Sequence, residues 1–287
     1  MSRKLLVRLS AGVLFMMIGW IAYTQNPTAP PKLVINKVKD DLYEIENDGG
    51  NNAVYITNEG VILIDDKFDR DHDQIVDLIK SVTTQPVKYV ISTHHHEDHS
   101  GGNIKMYSMG VEIISTANAR KNILDHKQSN ATPLVAPARV TFDHDMSVVL
   151  GGKEVQAHYV GRGHTNGDAV IYFPALRTLH TGDLMAGASP LIDYPGGGSL
   201  LKWADTLDEA MKFDFDTVIP GHGPVTTKAG LKTYRDNVAA LRDKVSGLVK
   251  GGKTTAEIAK VMETDYKWAP GSLNQQWSVP GFASEFK

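Results

Sequence analysis

The stretch STHHHEDHSGG, residues 92–102, concentrates imidazole and carboxylate side chains in one short segment. It directly follows the apolar, β-branched run 87–92, which predicts a buried strand. Because side chains alternate along extended backbone, we expect His94 and His96 to point to one side and His95 to point away. The alternation brings two imidazoles into one cluster.

A carboxylate and a third imidazole follow within a few residues. Asp98 continues the same phase of the alternation, and His99 lies close by if the chain turns at the glycines that come next. Neutral imidazole suits Zn²⁺, and a carboxylate can hold or bridge a second cation. The segment therefore predicts a metal site; the alternative is a pH-sensing or solvated histidine loop.

Three later segments each place a polar side chain in a glycine-containing turn after a predicted strand. They are GRGHTNGD with His164, LHTGDL with Asp183 and PGHGP with His222. Such loops are where a rigid scaffold presents ligands, and glycine lets the backbone approach closely. Each segment alone is typical of turn chemistry. Together they complete two sets of metal ligands.

This ordered set of residues resembles the metallo-β-lactamase superfamily, over roughly residues 40–225. The resemblance implies an α/β fold of four layers, an αββα sandwich, with the site at one edge of its two sheets. It also implies two Zn²⁺ ions per chain, the first held by His94, His96 and His164. The second would be held by Asp98, His99 and His222, with Asp183 bridging the pair.

The chain departs from the lactamase branches of that family at the second zinc. It contains no cysteine, which excludes the branches with a cysteine ligand. Another lactamase branch has a histidine at the position of His99 but lacks a bridging aspartate. Asp183, in Thr-Gly-Asp, is instead similar to the glyoxalase II, lactonase and general hydrolase branches.

The resemblance implies a zinc-dependent hydrolase that cleaves an ester, thioester, lactone or amide bond of a small-molecule substrate. Paired zinc ions would lower the pKa of a shared water to about 7 and supply a bridging hydroxide. Asp98 would orient that hydroxide as well as bind metal. The alternatives are β-lactam hydrolysis, phosphodiester hydrolysis and non-catalytic metal binding.

The loop LIDYPGGG, residues 191–198, is the main candidate for the rim of the site. It follows Asp183 closely, and Tyr194 would donate to an oxyanion there; the alternative is a plain surface loop. Lesser candidates are Arg162, Asn166 and His180. The histidines interpreted as surface or structural residues are His72, His126, His144 and His158.

Composition and charge limit the classes of binding partner that we expect. The 287 residues are 41% hydrophobic and 22% charged, as in an ordinary soluble globular protein. Acidic residues outnumber basic ones, 33 against 30, and no Lys/Arg stripe stands out. Phosphate contacts require local basic density, so we expect no nucleic-acid partner and disfavour a phosphodiesterase.

Residues 1–31 are interpreted as a targeting segment. A basic start is followed by the apolar run 9–23 and then by prolines. The run is short for a spanning helix, which favours a signal peptide over an uncleaved N-terminal anchor. We expect a bacterial protein that is periplasmic or secreted, or anchored to the inner membrane and facing the periplasm. No other membrane contact is expected.

The sequence after residue 31 predicts a layered α/β structure. Predicted strands include 54–57, 61–64 and 87–92, and predicted helices include 73–82, 116–126, 200–211 and 231–249. We expect a hydrolase domain over 32–250 and a C-terminal helix and tail over 251–287, the helix opening on the capping-box pair Thr254 and Glu257. The tail's aromatic residues are Tyr266, Trp268, Trp277, Phe282 and Phe286. They should pack on the body or on a second subunit of a homo-oligomer; the alternative is a pocket lid.

Overall fold

Seven strands form the first of two sheets in the computed structural model, which describes residues 31–125 and 135–287. The strands are β1 (Val34–Lys39), β2 (Leu42–Glu46), β3 (Asn52–Ile56), β4 (Val61–Ile64), β5 (Val87–Ile91), β6 (Glu112–Thr116) and β7 (Val140–Phe142). They lie side by side in chain order. The pairs from β1 to β4 are antiparallel, and those from β4 to β7 are parallel.

The second sheet is built from the following six strands. They are β8 (Asp145–Leu150), β9 (Lys153–His158), β10 (Val170–Phe173), β11 (Thr178–His180), β12 (Thr217–Ile219) and β13 (Thr226–Thr227). These strands also lie in chain order, and β11 pairs with β12 in parallel while the other pairs are antiparallel. As a result β9, β11 and β12 run in one direction.

Helices cover the outer faces of both sheets. They are α1 (His72–Val82), α2 (Glu97–Ser100), α3 (Asn103–Ser108), α4 (Ala117–Leu124), α5 (Leu200–Ala210), α6 (Lys228–Lys250), α7 (Thr255–Tyr266) and α8 (Val279–Glu285). Within residues 31–125 and 135–287, none of the helices has both the length and the apolar character needed to cross a membrane.

Alternation along the strands explains the layers. Ile62 and Ile64 of β4 face the second sheet and share a core with its Phe173, while Leu63 faces outward to a core shared with α1. A strand buried on both faces reads as a continuous apolar run, as β4 does. Helices α5 to α8 pack on the outer face of the second sheet around Trp203. The predicted αββα sandwich is confirmed.

Most predicted elements are found, with small shifts at their ends. The strand 61–64 is confirmed to the residue, and helix α1 begins one residue early, at His72. The capping box of Thr254 and Glu257 is present at the start of α7. Helix α6 begins three residues early, because the Thr227 hydroxyl accepts a hydrogen bond from its first turn.

Strands β1 and β2 were not predicted. β1 is an edge strand whose side chains are exposed or half-buried, so its sequence lacks the alternation that would identify it. Two predictions fall partly or wholly outside the described residues: the targeting segment, for residues 1–30, and the end of the helix 116–126 at His126. The boundary at residue 250 coincides with the end of α6, and the domain assignment stays a prediction.

Candidate metal centre

The predicted ligands converge at one edge of the sandwich. His94 follows the end of β5, and His164 lies in the loop after β9. Asp183 and His222 follow β11 and β12, which run parallel to each other. Strands that point the same way deliver their following loops to one edge. The fold therefore gathers three distant loops around the histidine cluster that follows β5.

Three imidazoles form the first ligand group, and their candidate ligand atoms lie within 4.8 Å of one another. They belong to His94, His96 and His164. His96 Nδ1 lies 2.8 Å from His164 Nε2. His94 Nε2 is buried and has no hydrogen-bond partner among the described residues. A buried nitrogen with no partner is costly unless something else binds it, and a metal ion fits that need.

A second ligand group lies beside the first. His222 Nε2 is 3.2 Å from Asp98 Oδ2 and 3.3 Å from His99 Nε2. The side chains of Asp98 and His222 are 25% and 34% exposed, whereas that of His99 is fully buried. The cluster is therefore open to solvent on the side of Asp98 and His222.

Asp183 lies between the two groups. Its Oδ2 is 3.6 Å from His164 Nε2 in the first group. Its Oδ1 is 3.1 Å from His99 Nε2 and 3.5 Å from His222 Nε2 in the second. The two carboxylate oxygens thus face different groups, which is the geometry required of a residue that bridges two cations.

In the first group, neighbouring residues hold the ring nitrogen that faces away from the cluster. His94 Nδ1 is 3.0 Å from Thr93 Oγ1, and His164 Nδ1 is 2.6 Å from the carbonyl oxygen of Leu191. Such hydrogen bonds fix the tautomer and ring orientation of metal-binding histidines. The opposite nitrogen, Nε2 in both residues, is left facing the site.

In two other histidines, a carboxylate holds the ring nitrogen that faces away from the cluster. Asp193 Oδ2 lies 3.0 Å from His96 Nε2, which leaves Nδ1 toward the first group. Asp65 Oδ2 lies 2.7 Å from His99 Nδ1, which leaves Nε2 toward the second. A carboxylate partner raises the basicity of the ring and strengthens it as a ligand.

Electrostatics favour the protonation states that a cation needs. Burial, reinforced by neighbouring imidazoles, holds the pKa of His94 well below its ordinary value and lowers that of His164 to about 4. Burial alone would raise the pKa of Asp183, but His222 and His99 hold it well below its usual range. Neutral imidazole and ionised carboxylate are the ligand forms of zinc. The residues present therefore fit a metal ion.

The electrostatics of the second group favour a proton on His222 when no metal ion is bound. Asp183 raises the pKa of His222 to about 9, despite the opposing effect of burial. Burial alone would raise the pKa of Asp98, but His99 and the hydrogen bond with His222 lower it to about 2. Metal binding there must displace a proton from His222, so we expect it to be accompanied by proton release.

Comparison with known families decides the membership of the chain. The family model of the metallo-β-lactamase superfamily matches residues 47–222, which include all seven predicted ligands. The chain belongs to the metallo-β-lactamase superfamily. It is accordingly a metal-dependent hydrolase, and zinc is the metal typical of that superfamily.

Individual relatives agree with this assignment. The chain is 26% identical over 226 residues to a metallo-β-lactamase type 2 of Elizabethkingia meningoseptica, covering 75% of this chain and 88% of the relative. It is 27% identical over 179 residues to one of Bacillus cereus, covering 61% and 67%. The solved structure of a metallo-β-lactamase from Pontibacter korlensis superposes with a TM-score of 0.64 at 22% identity, covering 72% of this chain and 99% of that one.

Close backbone approach shapes the site within this superfamily fold. A Cβ on Gly50, in the loop between β2 and β3, would lie 2.1 Å from His99 Cε1. A Cβ on Gly221 would lie 2.1 Å from Asp183 Oδ1. Neither position tolerates a larger side chain without displacing a ligand, which explains why glycine flanks the site.

Tyr194 does not face the cluster as expected. Its hydroxyl donates to Glu285 at 2.6 Å, and its ring packs edge-on against Phe282. A tyrosine has one proton to donate, and here a carboxylate accepts it. The structure therefore gives no support to Tyr194 as an oxyanion donor. Within the same loop, the side chain that contacts a ligand histidine is that of Asp193.

The other rim candidates have structural roles. Arg162 donates to the carbonyl oxygens of Gly197 and Gly198, and so fastens the rim loop. His180 is fully buried; its Nε2 is 3.0 Å from the carbonyl of Asn51, and its Nδ1 accepts from the amide of Gly182, next to Asp183.

Several residues that contact the ligands were not identified from the sequence. His95 is fully buried, with Nε2 3.5 Å from Asp193 Oδ2, the oxygen that also lies 3.0 Å from His96 Nε2. Asp65 directly follows β4, and a carboxylate at the end of an apolar strand is the signal that could have identified it. Trp277, from the tail, lies against His96 with ring centroids 5.3 Å apart. No local pattern connects residues 181 positions apart.

Proposed function

We propose that the protein is an exported bacterial hydrolase that uses two zinc ions to cleave an ester, thioester, lactone or amide bond of a small molecule. The observation that carries this proposal is the position of Asp183, with one oxygen 3.6 Å from His164 and the other 3.1 Å from His99. A carboxylate in that position joins two ligand groups into one binuclear centre. A single-ion carrier protein would not need it.

The roles of the side chains follow from the geometry. His94, His96 and His164 would hold one ion, and Asp98, His99 and His222 the other. Bound zinc ions supply a Lewis acid for the attacked carbonyl and lower the pKa of a water to about 7. Asp98, at the open side of the cluster, would accept a hydrogen bond from the attacking water and so direct it toward the carbonyl carbon.

The substrate would enter on the open side of the cluster. His222 is the most exposed of these ligands, with 34% of its side chain accessible. A substrate entering on that side meets Asp98 and His222 before the buried ligands. The reacting bond would then lie over the cluster, with its leaving group toward solvent.

A second candidate function is β-lactam hydrolysis. The relatives in Elizabethkingia meningoseptica and Bacillus cereus carry the name metallo-β-lactamase, which favours it. The lack of cysteine in this chain, together with Asp183, favours the ester or lactone alternative. Nitrocefin turnover measured beside a panel of esters, thioesters, lactones and amides separates the two.

The test of the proposed function compares three proteins: the wild type, His96→Ala and, as a matched control, His144→Ala. His144 is exposed and lies outside the ligand groups. We expect two zinc ions and hydrolysis of at least one ester, thioester, lactone or amide by the wild type and the control, and loss of both properties in His96→Ala. A chelator should abolish activity, and zinc should restore it. Equal activity of His96→Ala and wild type contradicts the proposal.

Export is a separate part of the proposal. It is supported by the order of charges, apolar residues and prolines in residues 1–31 and by the bacterial origin of the relatives. Fractionation of a bacterial host by osmotic shock, with and without residues 1–31, tests it. We expect osmotic shock to release the protein made with residues 1–31 into the periplasmic fraction. If the segment is an uncleaved anchor, we expect the protein to stay on the membrane. Recovery in the cytoplasm in both cases contradicts export.

A further inference from the structure

The C-terminal segment, residues 272–286, lies outside the region matched by the family model, which ends at residue 222. It forms the one-turn π-helix Asn274–Ser278, called the turn below, followed by α8. Trp277 in that turn contacts His96 with ring centroids 5.3 Å apart and an interplanar angle of 64°. The tail therefore reaches the first ligand group directly.

Trp277 differs from the other aromatic residues of the tail. Trp268, Phe282 and Phe286 are buried in the core of the second sheet. Trp277 is only half-buried, and its indole Nε1 has no hydrogen-bond partner among the described residues. A large apolar ring beside a ligand, with a free donor, is the arrangement found in ligand pockets.

Hydrogen bonds fasten the turn to the rim loop. The Ser278 hydroxyl accepts from the amide of Ile192 at 2.9 Å. Asn274 Nδ2 donates to the carbonyl of Pro190 at 2.9 Å. The same loop carries Asp193, the partner of His96. These hydrogen bonds therefore fix the position of Trp277 beside His96.

Glu285 fastens the end of α8 to the body. Its carboxylate accepts from the Tyr194 hydroxyl at 2.6 Å, the Ser199 hydroxyl at 2.5 Å and the amide of Leu200 at 3.1 Å. Gly281 packs so tightly on the Tyr194 ring that a Cβ would lie 2.1 Å from it. The Tyr194 hydroxyl, which was expected to donate to an oxyanion, instead attaches the tail to the body.

We propose that Trp277 is a wall of the substrate site and determines specificity by binding a planar, apolar acyl group beside the first ligand group. This inference rests on the proposed function. A substrate whose carbonyl lies over the cluster can extend its acyl group toward His96 and the indole, with its leaving group toward the open side at His222. An acyl group such as phenylacetyl would stack on Trp277, whereas acetyl would not reach it.

The kinetic test uses two esters with one leaving group, p-nitrophenyl acetate and p-nitrophenyl phenylacetate. In Trp277→Ala we expect KM for the phenylacetate to rise about tenfold, in line with the loss of an aromatic contact. KM for the acetate and both kcat values should change less than about threefold. Trp277→Phe should recover most of the affinity. Equal changes for the two esters would mean that Trp277 only supports His96, and would overturn the inference.

Two further variants separate binding from general effects on the tail. Leu273→Ala alters an exposed side chain of the same segment, 55% accessible, and should match wild type. Glu285→Gln weakens the attachment of α8 and should raise KM for the phenylacetate, as Trp277→Ala does, because the indole loses its fixed position. If Glu285→Gln raises KM for both esters equally, the fixed position of Trp277 does not determine specificity, and the inference is overturned.

A binding measurement keeps this inference distinct from the proposed function. Calorimetry with the zinc-loaded protein compares the product anions phenylacetate and acetate, with no turnover required. We expect wild type to bind phenylacetate about tenfold more tightly and Trp277→Ala to lose that preference. Equal affinities in a protein that takes up zinc overturn this inference alone. A protein that takes up no zinc overturns the proposed function as well.

Discussion

Asp65 is the residue whose replacement tests the second ligand group most sharply. Its carboxylate is fully buried and accepts three hydrogen bonds, from the amide and hydroxyl of Thr93 at 2.7 and 2.8 Å and from His99 Nδ1 at 2.7 Å. Asp65→Asn keeps the size of the side chain but removes its charge and one acceptor oxygen. His99 then loses the group that fixes its tautomer.

The expected effect on metal binding follows from the strength of that contact. Loss of a carboxylate partner of a ligand histidine weakens metal binding about 10- to 100-fold, which is ~1.4–2.8 kcal/mol. Competition for zinc between the metal-free protein and a chromophoric chelator measures the change, and unfolding in urea shows that the variant remains folded.

A second Asp–His pair supplies the matched control. Asp145 Oδ1 lies 2.6 Å from His158 Nδ1 on the hairpin of β8 and β9, outside the ligand groups. Asp145→Asn removes the same kind of contact and should leave zinc affinity unchanged. If Asp65→Asn binds zinc as tightly as wild type and Asp145→Asn do, the idea that Asp65 orients His99 is refuted.

Three other predictions concern the framework around the site. Burial raises the pKa of Glu44 to about 7, so the folded state holds its proton more tightly than the unfolded chain and stability falls as pH rises from about 5 to 7; Glu44→Gln should flatten that slope in urea unfolding, and equal slopes would contradict it. Phe173→Ala removes a fully buried ring between the sheets and should cost ~3–5 kcal/mol of unfolding free energy; a loss below 1 kcal/mol argues against the shared core. Gly50→Ala should weaken zinc binding by crowding His99, whereas Gly247→Ala, in open space on α6, should stabilise the protein by ~0.5–1 kcal/mol.

The sequence predicts the layers of this fold because burial leaves a pattern along the chain. The run 61–64 is buried on both faces, and its bounds as a strand are found unchanged. The edge strand β1 has no such pattern, since its side chains meet solvent on both faces. Its partner β2 follows after only two residues, Asp40 and Asp41, but Asp-Asp is not one of the glycine-containing pairs that mark a two-residue hairpin.

The ligand residues were predictable for a different reason. His94, His96, Asp98 and His99 lie within six positions, and turn glycines mark the other three, so the motif is visible before any folding is considered. The residues that support the ligands are not marked in this way. Asp193, next to the predicted Tyr194, could not be predicted as a partner of His96, because their contact exists only after two distant loops meet.

The most direct test of the binuclear centre is anomalous diffraction at the zinc edge from crystals of the zinc-loaded protein. We expect two peaks ~3.5–4 Å apart, one among His94, His96 and His164, the other among Asp98, His99 and His222, with Asp183 between them. A single peak in only one of these groups, or zinc bound elsewhere on the chain, would contradict the account.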